Sequence, residues 1–186
     1  MGIETNKKEK NSTHDKDLNK INLGQLDNEE LWLNYGETQQ ELRRRNLART
    51  NNMVGERGEF LAVETYNFIA GLSKLQAAPE GTQNVDALSR KGERYSIKTV
   101  SEPGTTTGVF YGCGDNNDIN QLEKKFEYVI IVQIFKNYKP KRIIELTWEQ
   151  FLKYRKWHST MRAWNLSVTK NLLAEAKIIL DNINHE

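Results

Sequence analysis

Leu31, Tyr35 and Leu42, with Thr38 between them, recur at helical spacing, so the first ordered element is expected to be a helix with one packing face. Asp27 followed three residues later by Glu30 is a capping-box start for it, and Arg43-Arg44-Arg45 close it. A second helix is predicted from about Gly55 to Ala70, carrying Phe60, Leu61, Val63, Phe68 and Ile69, with Gly71 as its stop. The period then changes. Lys74 to Ala78 reads as a short strand before a turn at Pro79-Glu80-Gly81. Asn84 to Arg90 and Arg94 to Val100 read as the arms of a β-hairpin, broken by Lys91-Gly92-Glu93. Pro103 to Gly114, with four Gly and a Thr run, is a loop, and Asp118 to Lys125 is expected to be a short helix. Glu127 to Phe135 is almost continuously apolar, as a strand buried on both faces must be. Arg142 to Leu146 is a further strand. Thr147 and Gln150 form a second capping box, opening a helix to about Arg155. A last helix, capped by Asn165 or Ser167, is predicted to carry Leu172, Leu173, Ala176, Ile179 and Leu180.

Composition narrows the picture modestly. The chain has 186 residues and a formal charge of +2, enough for one domain with a core and neutral towards the question of nucleic acid. Residues 1–25, rich in Lys, Asn, Asp and Glu without apolar periodicity, read as a disordered or weakly ordered arm, and residues 26–186 as a single domain. One cysteine, Cys113, excludes an internal disulfide and a cysteine-rich zinc site, and suits a cytoplasmic location. The longest apolar run, Tyr128 to Ile134, is too short to span a bilayer, and no apolar leader precedes the domain. His14, His158 and His185 are scattered and make no metal-ligand or triad pattern. The Gly108 to Gly114 stretch lacks a following Gly-Lys-Ser/Thr and is no P-loop.

Chemistry concentrates on the hairpin. With Lys91 to Glu93 as the loop, Asp86 lies opposite Lys98 and Leu88 opposite Ser96. Asp86, Ser96 and Lys98 then share one face, while Val85, Ala87, Tyr95, Ile97 and Thr99 take the other. A carboxylate and a lysine converging on one sheet face can hold a divalent cation beside a phosphate. This register depends on the turn.

Asp86 with Ser96-Ile97-Lys98 resembles the signature of the PD-(D/E)XK nuclease superfamily: an Asp on one strand and (Asp/Glu)-x-Lys on the next. Val85 stands at the Pro position, and Ser96 replaces the second acid. Some restriction enzymes of the superfamily carry Ser there and take a carboxylate from a helix. The element order also resembles the superfamily's αβββαβ core. Bacterial members share an E-L-x-x-R … R-T-x-N … G-E stretch, matched here by Glu41-Leu42, Arg45, Arg49-Thr50, Asn52 and Gly58-Glu59. The resemblance covers roughly Leu31 to Phe135. It implies an α/β, restriction-endonuclease-like fold with a mixed sheet, flanked by an N-terminal helix and C-terminal helices.

For function the resemblance implies a cytoplasmic, Mg²⁺- or Mn²⁺-dependent DNA endonuclease serving restriction or defence against foreign DNA. The implied metal ligands are Asp86, Glu59 and the Ile97 carbonyl; Asp86, Ser96, Lys98 and Glu59 form the implied catalytic set. Glu56 and Glu64 compete with Glu59, and Asp118 or Glu123 would serve if the missing carboxylate came from the following helix. Arg43, Arg44, Arg45 and Arg49 are candidate phosphate contacts, equally readable as a solvated helix end. Lys153 to His158 interleaves basic and aromatic residues, which suits stacking on nucleic acid or anchoring of a terminal helix by Trp157 and Trp164. Cutting a duplex needs two sites, so a homodimer is expected. The rival readings are a catalytically silent nuclease-fold module binding nucleic acid or protein, and a structural α/β domain with no nucleic-acid partner.

Overall fold

The computed structural model describes residues 22–79, 81–115 and 123–183. The chain divides into two compact units, Met1–Gln40 and Glu41–Glu186. In the first, a single 3-10 turn at Leu23–Gln25 precedes helix α1, Asn28–Arg44, which ends beyond the unit boundary. The expected capping box is made: Asp27 N–H donates to Glu30 Oε2 and Glu30 N–H to Asp27 Oδ1, both at 2.9 Å. No residue of α1 is buried. Residues 1–21 of the expected arm lie outside the described residues.

In the second unit, helix α2 (Met53–Phe68) is capped by Asn52, whose side chain accepts from Gly55 N–H. A six-stranded mixed sheet follows, ordered β1-β2-β3-β4-β5-β8. Its strands are β1 (Leu75–Ala77), β2 (Ala87–Ser89), β3 (Arg94–Ser101), β4 (Tyr128–Ile134), β5 (Pro140–Thr147) and β8 (Lys177–Asp181). Only β3 and β4 run parallel; the other neighbours are antiparallel. Helix α3 (Trp148–Tyr154) opens on the predicted Thr147–Gln150 capping box. Strands β6 (Arg155–His158) and β7 (Ala163–Leu166) pair as a separate hairpin, and the short helix α4 (Lys170–Glu175) leads into β8.

Strand β4 is the centre of the core, as its unbroken apolar run requires. Val129 and Ile131 face one cluster with Phe110, Phe126, Trp148, Phe151, Trp164 and Leu172; Ile130, Val132 and Ile134 face the other, with Leu61, Tyr66, Tyr95 and Ile97. Helix α2 lies on the second face, held close by Gly58. A Cβ there would stand 1.7 Å from Thr99 Oγ1, so only glycine lets the helix approach β3.

Three expectations need correction. The hairpin loop is Arg90-Lys91-Gly92, because Ser89 N–H pairs with Glu93 O (2.9 Å) and Gly92 takes φ 80°, the left-handed conformation a three-residue loop needs. The Ser89 hydroxyl fixes that choice by accepting from both Lys91 and Glu93 N–H. Second, the terminal helix is short and capped by Thr169; Ile179 and Leu180 belong to β8, so the C-terminal extension carries strands as well as the helices α3 and α4. Third, Glu123 to Lys125 is not helical; Asp118 and the rest of that expected helix lie outside the described residues, as does Glu80 of the first turn.

Candidate active site

The true register, Ala87 against Tyr95 and Leu88 against Arg94, moves Asp86 from opposite Lys98 to beside Ser96. The shift is two residues, so facing is preserved: Asp86, Ser96 and Lys98 still share a face. Asp86 N–H still donates to Tyr95 O (2.8 Å); there β2 and β3 part, and the Asp86 carboxylate fills the gap. Its Oδ2 accepts the Ile97 N–H (2.6 Å) and the Ser96 hydroxyl (3.2 Å), and Lys98 Nζ lies 3.8 Å from the same oxygen. An extended residue presents its N–H and C=O to the same edge. The Ile97 carbonyl is therefore directed to the opening that Asp86 occupies.

Ser96 is almost completely buried, and its hydroxyl is engaged with Asp86. It orients the carboxylate and is not placed as a separate ligand. Lys98 is three-quarters buried, its Nζ 5.3 Å from the centre of the Phe110 ring, which supports the ammonium from the core side.

Helix α2 brings Glu56 and Glu59 to the same place. Both line a cleft of about 240 Å³ with Arg49, Thr50, Asn52 and Asp86. Burial pushes the Glu59 carboxyl above its ordinary pKa, and the negative charge of Asp86 adds to this, while Arg49 and Lys98 pull it back. Glu56, one turn earlier, is buried and accepts Thr50 N–H (3.0 Å), which makes it a brace for the segment entering α2. Arg49 donates to Glu59 Oε2 (2.8 Å) and approaches Glu56 Oε2 (3.6 Å). Its place is among the carboxylates of the cleft, a pairing that sequence spacing did not indicate.

The remaining candidates are dispersed. Arg44 and Arg45 both pair with Glu41 at 2.6 Å, and Arg43 donates to Asn51 (2.5 Å), so the basic cluster is internally matched. Glu64 is exposed and does not line the cleft. Glu123 pairs with Lys125. Trp157 and Trp164 pack on each other across β6 and β7, centroids 5.0 Å apart, in the same core cluster as Leu172 of α4. Burial pushes the Cys113 thiol up to about 11, so the single cysteine is an inert core residue.

Among the described residues no three His, Cys, Asp or Glu side chains are grouped as a metal cage. The oxygen donors at the strand gap are the Asp86 carboxylate and the Ile97 carbonyl, with Glu59 across the cleft. No helix of the described residues is long and apolar enough to cross a membrane. No protein-family model matches the chain, and no curated protein matches it.

Proposed function

We propose that the chain is a divalent-metal-dependent DNA endonuclease of the PD-(D/E)XK type, with the restriction-endonuclease-like fold that its α/β mixed sheet is compatible with. The observation that carries this reading is the strand gap. One aspartate, one lysine and one main-chain carbonyl converge where β2 leaves β3, and a helix supplies a partly buried glutamate across the same cleft. The donor set fits a hard cation: Mg²⁺ takes oxygen, typically one or two carboxylates, and draws its other ligands from water and substrate phosphate. Asp86, Glu59 and the Ile97 carbonyl would hold it. When bound, such an ion polarises a phosphoryl oxygen and lowers the pKa of coordinated water.

The chain's own groups have distinct tasks. Lys98 orients the attacking water and offsets negative charge developing on the phosphate. Asp86 is held by the Ile97 N–H and Ser96 hydroxyl, so its second oxygen is presented without rotational freedom. Phe110 limits the solvent around the Lys98 ammonium. A homodimer would supply the second site needed to cut both strands. Cleavage of plasmid DNA in Mg²⁺ or Mn²⁺ tests the reading: Lys98→Ala is expected to lower the rate by about 100-fold or more. Equal cleavage by wild type and variant would overturn it.

Ser96 favours a second reading, a nuclease-fold module that binds without cutting. Its buried hydroxyl brings no charge, so the cation shell has one carboxylate fewer than the superfamily pattern. Calorimetric titration with Mn²⁺ separates the two: a tight site abolished by Asp86→Asn supports the endonuclease, and no measurable uptake supports the silent module.

A further inference from the structure

We propose that the β6–β7 hairpin, with the neutral loop 103–114 beside it, is the surface that takes the phosphodiester backbone of duplex DNA next to Lys98. The inference rests on the nuclease reading and deepens it. Its first support is continuity. Phe110, whose ring lies against the Lys98 ammonium, exchanges main-chain hydrogen bonds with Trp164 of β7: Phe110 N–H to Trp164 O at 2.6 Å, and Trp164 N–H to Phe110 O at 3.3 Å. Thr107 N–H donates to Leu166 O (2.9 Å), and Trp164 Nε1 donates to Gly114 O (3.0 Å). Loop and hairpin are thus one surface, and Lys98 lies at its margin.

The second support is charge. From Arg155 to Ala174 the sequence has no Asp or Glu, while Arg155, Lys156, Arg162 and Lys170 are cationic; Pro103 to Gly114 has no charged residue at all. The arginines near α1 differ, since Glu41, Asn51 and Glu59 already engage them. On the hairpin, Arg155 is turned inward, its guanidinium 3.9 Å from the Trp164 ring centre, and stiffens the scaffold. Lys156 is exposed and pairs in register with Asn165, on the face opposite the two tryptophans. Arg162 is four-fifths exposed, with Asp115 3.7 Å away. Tyr111, half exposed on the loop, adds an aromatic face. The ribbon's own sequence carries no acid, and Asp115, which pairs with Arg162, comes from the segment before it; exposed cations so arranged suit a polyanion read by position rather than by sequence.

The test is binding of a fluorescent DNA duplex across a fourfold range of salt, in Ca²⁺ to hold cleavage off, with wild-type cleavage in Mg²⁺ run alongside. A Lys156→Gln/Arg162→Gln variant is expected to reduce the slope of log K against log salt by about 1.8, at about 0.9 per lost phosphate contact. The affinity lost over that salt range then shrinks about tenfold relative to wild type. Lys156→Arg should retain the wild-type slope, and an Arg43→Gln/Arg44→Gln/Arg45→Gln variant should change it less than the hairpin variant does. An unchanged slope in the hairpin variant, or no wild-type binding at all, overturns the proposal. Wild-type cleavage alongside an unchanged hairpin slope leaves the nuclease reading intact and removes this surface alone. Hairpin-dependent binding without cleavage does the reverse.

Discussion

Arg94 and Glu127 show how much one ion pair can organise when its geometry is a fork. Arg94 Nη2 donates to Glu127 Oε1 (2.8 Å), and Arg94 Nε to Oε2 (3.2 Å); its main-chain N–H also donates to Oε2 (2.7 Å). Glu127 N–H returns a bond to Arg94 O (2.9 Å). The pair thus sets the start of β3 beside the start of β4, the one parallel junction of the sheet. These hydrogen bonds hold the Glu127 carboxyl well below its ordinary value, at about 2. A depressed carboxylate contributes stability that is complete above its unfolded pKa and is lost as pH falls through the folded value. Both side chains are partly exposed, so solvent screening limits the contribution to about 1 kcal/mol. Glu127→Gln is expected to destabilise by that amount at pH 7 in urea denaturation, and the difference should shrink between about pH 4.5 and 2. A constant difference across that window would show that the carboxylate charge is not the cause.

At the scale of elements, the contact between α2 and β3 decides whether Glu59 reaches the strand gap. Gly58 is the point of closest approach, and Gly58→Ala forces its new methyl onto Thr99. Overpacking of this kind costs about 1–3 kcal/mol. The variant should melt lower and, by displacing Glu59, lose cation affinity; adding Thr99→Ala should restore part of both. Recovery of stability without affinity would separate packing from positioning. Much of this arrangement was legible in the sequence because it is local. Asp86, Ser96 and Lys98 lie within one hairpin, and a register error of two residues leaves their common face unchanged. The quoted stretch before them also acquires roles: Asn52 caps α2, Glu41 binds Arg44 and Arg45, Arg49 binds Glu59, and Gly58 admits the helix to the sheet. What was not legible is long-range or ambiguous in period. Phe110 under Lys98 comes from an irregular loop with no pattern to read. Leu172, Leu173, Ala176, Ile179 and Leu180 satisfy helical spacing, yet Ile178-Ile179-Leu180 is also a short apolar run with two β-branched residues, and the open edge of β5 took it as a strand.

Across the whole second unit, helix layer, sheet and last strand are tied together at Glu145. This β5 side chain is nearly buried, accepts the Tyr66 hydroxyl of α2 (2.7 Å) and pairs with Lys177 at the start of β8 (3.0 Å). Burial and the neighbouring carboxylate push the Tyr66 pKa far upward, so its hydroxyl remains a donor at every accessible pH. A carboxylate in that position is tolerated because two donors converge on it. Removing one leaves a desolvated acceptor, at a cost of about 1–3 kcal/mol. Lys177→Met is therefore expected to destabilise the protein by that amount, and to loosen β8, because the same residue begins the strand that closes the sheet edge. Replacing the charge together with its partner should be far milder. In Glu145→Gln/Lys177→Met the amide oxygen still accepts from Tyr66, and no ion remains unpaired. Urea denaturation of the single and double variants, with amide hydrogen exchange in β5 and β8, measures both effects. If the double variant is as unstable as Lys177→Met alone, the lysine acts through its packing and its place in the strand, and Glu145 is satisfied by the tyrosine without it.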